Sequence, residues 1–219
     1  MSEIRHHPSE ATLLAHAAGS LSQGLSLIVA AHLGACPRCR RHAALGEDMG
    51  AVLMADAPPV SVSDRALDAV FARIAGHRPD DQAETPAVQG KHGVPAPLGN
   101  LLPDDLSEVR WRAIGPGIKQ AKLKGPDGHD DGVKLLKIAP GRSVPQHSHG
   151  GHEMTLIVSG SYTDEIGRFQ AGDIADLDGD IQHQPVSDSG EDCICIIATD
   201  APLAFTGIVP RLMQSFIRI

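Results

Sequence analysis

Aromatic residues are scarce in this chain: four Phe, one Trp and one Tyr make up 3% of 219 residues. Any small unit of the fold must therefore close its interior with modest aliphatic side chains, and a small core of that kind is marginal without a staple. Positive charge is also short. Nineteen Lys and Arg face 27 Asp and Glu, a formal charge of −8, which argues against direct nucleic-acid binding and permits a basic partner. No apolar run approaches the length of a membrane span, and Met1-Ser-Glu-Ile-Arg-His-His7 does not have the form of a signal peptide. The expected location is the cytoplasm, where the four cysteines would be reduced or metal-bound. No internal repeat is present.

What is there changes character partway along. Residues 9–77 carry helical periodicity. Ser9 precedes a short stripe of Leu13, Leu14 and Ala17 that stops at Gly19, and Ser22 opens a helix carrying Leu25, Ile28, Val29 and His32 at i, i+3, i+4 and i+7. Gly34 is expected to break this helix and Pro37 to begin the next, which bears Leu45, Met49, Val52 and Leu53. Ser63 caps a fourth, with Leu67, Val70, Phe71 and Ile74, ended by Gly76. Proline and acidic residues from about 78 to 97 read as a linker. Beyond it the period falls to two. Val109–Ile114, Val133–Ile138, Met154–Val158 and Cys193–Ile197 are short strands between Gly, Pro and Asp turns, the pattern of a sandwich or barrel. The expected organisation is a helical domain over 1–78, a linker over 79–97 and an all-β domain over 98–219, an α+β chain of two domains.

Each half holds a group of metal-ligand side chains. His32, Cys36 and Cys39 supply three of the four ligands of a tetrahedral zinc site. Cys36 would lie at a helix N-terminus, where the dipole favours thiolate. The fourth ligand must come from elsewhere, and His6 and His7 are the nearest in sequence. Zinc here would couple metal binding to folding of the helical half.

In the second half, His147 and His149 are two apart, so on an extended strand both face one way. Gly150 and Gly151 allow a tight turn that returns Glu153 to the same point, and His183 can complete a set of three histidines and one carboxylate. Converging inside a barrel, these groups would bind a divalent metal. The segment resembles the two motifs of the cupin superfamily. The first matches at Gly141, His147, His149, Glu153 and Gly160, and the second at Gly172 and His183, with Asp178 and Asp180 standing where the family usually has proline and glycine.

With both motifs in view, nearly the whole chain resembles the ChrR family of zinc-binding anti-sigma factors. The matching residues are Ile4-Arg-His-His7, Ala17-Ala-Gly19 with Leu21-Ser22, the His32/Cys36/Cys39 motif, Val109-Arg-Trp-Arg112, the cupin histidines, Asp192-Cys-Ile-Cys195, Ala198-Thr-Asp-Ala-Pro-Leu203 and Phe216-Ile-Arg-Ile219. The resemblance implies a four-helix anti-sigma domain ahead of a cupin (jelly-roll) barrel, and no enzymatic activity. It implies one zinc on His7, His32, Cys36 and Cys39, and a second on His147, His149, Glu153 and His183. The helical domain would clasp a group IV (extracytoplasmic-function) sigma factor, and the cupin domain would trigger release under singlet oxygen or related oxidants.

Cys193 and Cys195 share one face of a strand, with Cα atoms roughly 6.5–7 Å apart, too far for an easy disulfide. They are either buried strand residues or a thiol sensor beside the cupin metal. The other histidines, His152 among them, read as solvated rather than ligating. The competing reading is a metal-dependent cupin enzyme, a dioxygenase or isomerase with an accessory zinc module. The N-terminal Cys/His helices argue against it. Nitrogen and oxygen donors in the cupin set do not by themselves separate zinc from iron or manganese.

Overall fold

The computed structural model describes residues 3–76, 90–123, 132–179, 181–201 and 203–205. Four α-helices come first: α1 (Glu10–Ala17), α2 (Gln23–Ala35), α3 (Pro37–Ala55) and α4 (Ala66–Gly76). The Ser9 side chain caps α1 by accepting from the Thr12 N–H at 3.1 Å. Pro37 stands at the first turn of α3, where its missing N–H costs nothing. Gly34 does not end α2, which runs one residue further. A Cβ at Gly34 would lie 2.6 Å from the Pro95 Cβ, so this glycine serves close packing, not termination.

The β half is built on an antiparallel six-stranded sheet with strand order β1-β2-β3-β10-β5-β8. Its members are β1 (Arg112–Gly115), β2 (Ile118–Lys122), β3 (Val133–Ile138), β5 (Glu153–Ser159), β8 (Ile174–Leu177) and β10 (Cys193–Thr199). A three-stranded sheet holds β6 (Ser161–Thr163) between β7 (Arg168–Gln170) and β9 (Val186–Ser187), and β4 (His147–His149) pairs with β11 (Leu203–Phe205). The first strand starts at Arg112, not Val109. A short 3-10 turn over Leu106–Glu108 occupies the chain just before it, and half-buried Trp111 packs against the core.

Both faces of the large sheet are covered, which explains why β5 and β10 read as nearly continuous apolar runs. Alternation along each strand divides two cores. Ile157, Cys193, Cys195 and Ile197 point into the barrel with Ile138, Tyr162 and Phe169. Met154, Leu156, Val158, Ile194, Ile196 and Ala198 point the other way, against Leu25, Ile28 and Val29 of α2. The apolar stripe of α2 is therefore spent on the β half.

Residues 79–89 of the expected linker lie outside the described residues, and its last part packs on the core. Val94 is buried in the same core, and Leu98 and Leu102 follow it. The boundary at 97 falls within a packed segment because the apolar residues spaced among its prolines reach α2. By contrast, the second half of α3 and nearly all of α4 are exposed. Leu45, Met49, Val52, Leu53, Leu67, Val70, Phe71 and Ile74 are each at least half exposed, despite lying on one stripe per helix.

Ile28 is fully buried where α2 meets the sheet. Ile28→Ala should cost about 2–5 kcal/mol, read as a lowered urea midpoint in which helix and barrel signals fall together. A variant as stable as the wild type would contradict the shared core.

Candidate metal centres

The Cys/His cluster forms where two helices abut. Cys36 is both the C-cap of α2 and the N-cap of α3, with extended backbone (φ −111°, ψ 102°), and its N–H donates to the His32 carbonyl at 2.8 Å. One turn on, Cys39 returns to the same side, so both thiols meet the His32 ring at the positive end of α3. His7 arrives from the N-terminal arm. Its Nδ1 lies 3.3 Å from His32 Nε2, 3.5 Å from Cys36 Sγ and 3.4 Å from Cys39 Sγ. A tetrahedral zinc with ordinary bond lengths separates two nitrogens by roughly 3.3 Å, and a nitrogen from a sulfur by roughly 3.5 Å. The four donors thus stand at separations that fit a zinc ion. His6, the alternative that spacing left open, turns away. Its ring lies tilted against Phe169 at 4.2 Å between centroids, and its Nε2 lies 3.1 Å from the Arg168 carbonyl.

Electrostatics favour neutral imidazoles here. Burial and the neighbouring His7 lower His32 to about 4, against weaker opposing effects of the Gly172 backbone and Asp173. Burial and Arg38 lower His7. Without a cation the cluster also disfavours thiolate, since burial and the adjacent Cys36 push Cys39 up to about 12. A bound dication reverses that preference and displaces the proton.

The arm carrying His7 is held by the β half. The Asp173 carboxylate, fully buried at the turn before β8, accepts from the Arg5 N–H at 2.7 Å and the His6 N–H at 3.1 Å, while its other oxygen accepts from the Gln170 N–H at 3.0 Å. The Ile174 N–H donates to the His6 carbonyl. Gly172 makes room for the arm with φ +95°; a Cβ there would crowd Ile4 at 3.1 Å. Further along, Asp176 of β8 accepts from the Ser9 N–H at 2.7 Å. Its other oxygen holds His152, whose pKa it raises by hydrogen bonding. His152 is therefore engaged, not solvated as expected, because β5 and β8 place it against a buried carboxylate.

The second centre lies inside the barrel. His147, Glu153 and His183 are buried, and one donor atom from each lies within 4.8 Å of the others. Reciprocal backbone hydrogen bonds pin His147 to His183. His147 Nδ1 donates to the Pro145 carbonyl at 2.8 Å, and His183 Nδ1 to Asp164 Oδ2 at 3.0 Å. Both Nε2 atoms therefore turn lone pairs inward, and they are 3.0 Å apart. Two lone pairs at that distance repel unless a proton or cation lies between them, and Glu153 Oε1 stands 4.0 Å from His183 Nε2 to balance it. Burial pushes Glu153 up to about 7, with His183, Thr155 and Lys134 opposing. This donor set fits a divalent cation and does not select which. His149 is on β4, its backbone paired with Leu203; its side chain lies outside the described residues.

Cys193 and Cys195 are free and buried in the barrel core. A hydrogen bond between the two thiols and burial raise Cys195 well above the usual thiol range, so in this state it is a thiol, not a thiolate nucleophile. Sequence reasoning missed Asp164, Asp173 and Asp176. Acidic residues in β8 and in the turns beside β7 and β8 offer no spacing signal, since these partners lie 19, 167 or 168 residues away.

Residues 104–202 match the family model described as the ChrR cupin-like domain. The anti-sigma-E factor ChrR of Cereibacter sphaeroides is 44% identical over 218 residues, 99% of both chains. A crystal structure of Rhodobacter sphaeroides SigE in complex with the anti-sigma ChrR superposes with a TM-score of 0.72 at 41% identity, covering 90% of this chain and all of that one. That relative is a regulator, not an enzyme. Four helices ahead of a cupin barrel, the Cys/His cluster between them and a near end-to-end match at 44% identity together establish that this chain belongs to the ChrR family of anti-sigma factors.

Proposed function

We propose that this protein sequesters a group IV (extracytoplasmic-function) sigma factor in the cytoplasm and frees it under oxidative stress such as singlet oxygen. The observation that carries the reading is the pair of uncovered apolar stripes on α3 and α4. Leu53, Phe71 and Ile74 are 74%, 59% and 62% exposed. Stripes of this kind on a helix bury themselves in a partner. The homologous ChrR was captured in complex with SigE, so a sigma factor is the fitting occupant. Among the described residues no helix is long and apolar enough to cross a membrane, which agrees with a partner met in the cytoplasm.

In this reading the Cys/His cluster holds zinc through His7, His32, Cys36 and Cys39. The cupin centre holds a second ion, taken as zinc, through His147, His149, Glu153 and His183. The zinc ions would supply rigid, redox-inert cross-links between the elements that carry these ligands. The chain's own residues do the rest. Asp164 and the Pro145 carbonyl orient the cupin imidazoles, and the helices present the clasp. Oxidative loss of a ligand at the cupin centre would shift the balance between clasped and open states. Cys193 and Cys195 are the thiols nearest in kind to that role, although both are buried in the barrel core.

The partner reading is tested by measuring affinity for a purified group IV sigma factor. Leu53→Asp with Phe71→Asp should weaken binding at least about tenfold while leaving metal content unchanged. Unaltered affinity would place the clasp elsewhere. The metal reading is tested by elemental analysis. Wild type should carry two equivalents per chain, Cys36→Ala with Cys39→Ala should lose one, and His147→Ala with His183→Ala the other. A single equivalent in the wild type would refute two centres. The sensor reading predicts that Glu153→Ala still binds the sigma factor within a few-fold of wild type but no longer releases it when singlet oxygen is generated. Normal release would make the cupin centre purely structural.

A further inference from the structure

His7 belongs to the helical cluster by function and to the cupin by attachment. Backbone groups of the arm bond to the β7–β8 region: the Arg5 and His6 N–H donate to Asp173 and the Ser9 N–H to Asp176, while the Glu3 carbonyl accepts from Gln170 and the His6 carbonyl from the Ile174 N–H. The Asp173 carboxylate is central to this seam. It is fully buried, 167–168 residues from its partners in sequence, and it accepts from two successive arm N–H groups directly before His7. A carboxylate bonded to N–H donors in a dry site is a strong and directional anchor.

We infer that Asp173 is a positioning residue for the Cys/His centre: a cupin carboxylate that sets where His7 stands, so that the fourth ligand of the helical site is placed by the β half. The inference rests on the reading of that cluster as a metal site. It has a structural consequence. The turn holding Asp173 runs directly into β8, and β8 pairs with β5 in the register Glu153↔Leu177 and Met154↔Asp176. The strand that begins with cupin ligand Glu153 thus lies beside the strand that grips the arm. A shift of β8 relative to α2 moves His7 away from His32, Cys36 and Cys39, which stay on the helices.

Cobalt(II) titration of the full chain separates the possibilities, because thiolate charge-transfer bands report Cys36 and Cys39 and ligand-field bands report the rest of the coordination shell. Wild type should show both, in a tetrahedral pattern. Asp173→Asn should keep the thiolate bands, change the ligand-field bands as His7 gives way to water, and weaken that site's cobalt affinity by about 10–100-fold, the range for lost outer-shell partners. Arg5→Pro removes one arm N–H without touching the barrel and should act in the same direction, so it decides the matter if Asp173→Asn fails to fold. Wild-type affinity and spectrum in Arg5→Pro and in folded Asp173→Asn would overturn the role of Asp173. Absence of thiolate bands in the wild type would instead remove the cluster reading beneath it.

Discussion

The rest of this structure depends on the packing of α2 against the outer face of β5 and β10. Leu25, Ile28 and Val29 are buried there against Met154, Leu156 and Ile196, and each such side chain contributes about 1.5–3 kcal/mol on leaving water. The same helix face continues to His32, so the residue that closes the apolar stripe opens the Cys/His cluster. Fixing α2 on the sheet fixes His32. The α2–α3 junction then fixes Cys36 and Cys39, and only His7 remains to be brought in from a distance.

This geometry resolves a tension in a small helical unit with few aromatics. The unit does not close a core of its own. It borrows one side of the cupin sheet, and what remains uncovered is the far end of α3 together with α4. Apolar stripes left exposed after all internal packing has been satisfied are available for a partner. The buried metal-ligand groups follow the same economy. Imidazoles, thiols and a carboxylate are costly to bury alone, and each cluster offsets that cost by gathering donors at separations suited to a cation. Outer-shell contacts from Asp164 and the Pro145 carbonyl orient the cupin rings, whereas the arm ligand is oriented through backbone by Asp173.

Much of this was legible in residue order. The period of 3.6 in α2 and the runs of β3 and β10 follow directly from which faces are buried. Cys36-x-x-Cys39 with Pro37 between them is readable because the helix cap and the ligand spacing coincide. The likeness of the cupin segment to its superfamily also marked His147, Glu153 and His183. What could not be read was where the halves touch. The stripe of α2 has the same pattern whether it faces other helices or a sheet. Val94 looks like linker because its neighbours are Gly and Pro. His152 directly precedes β5 and Asp176 lies in β8, and nothing local says that β5 and β8 are adjacent. Gly34 shows the same limit, since a packing glycine and a helix-ending glycine are alike in sequence.

Amide hydrogen exchange on Cys36→Ala/Cys39→Ala compared with wild type tests most directly whether the two halves are one structure. Loss of the two thiols should speed exchange in α1 and α2, and the effect should spread to β8, which anchors the arm, and to residues 94–102, which share the core. Faster exchange confined to α1–α3, with β8 and 94–102 unchanged, would contradict the account and make the helical half an independent domain.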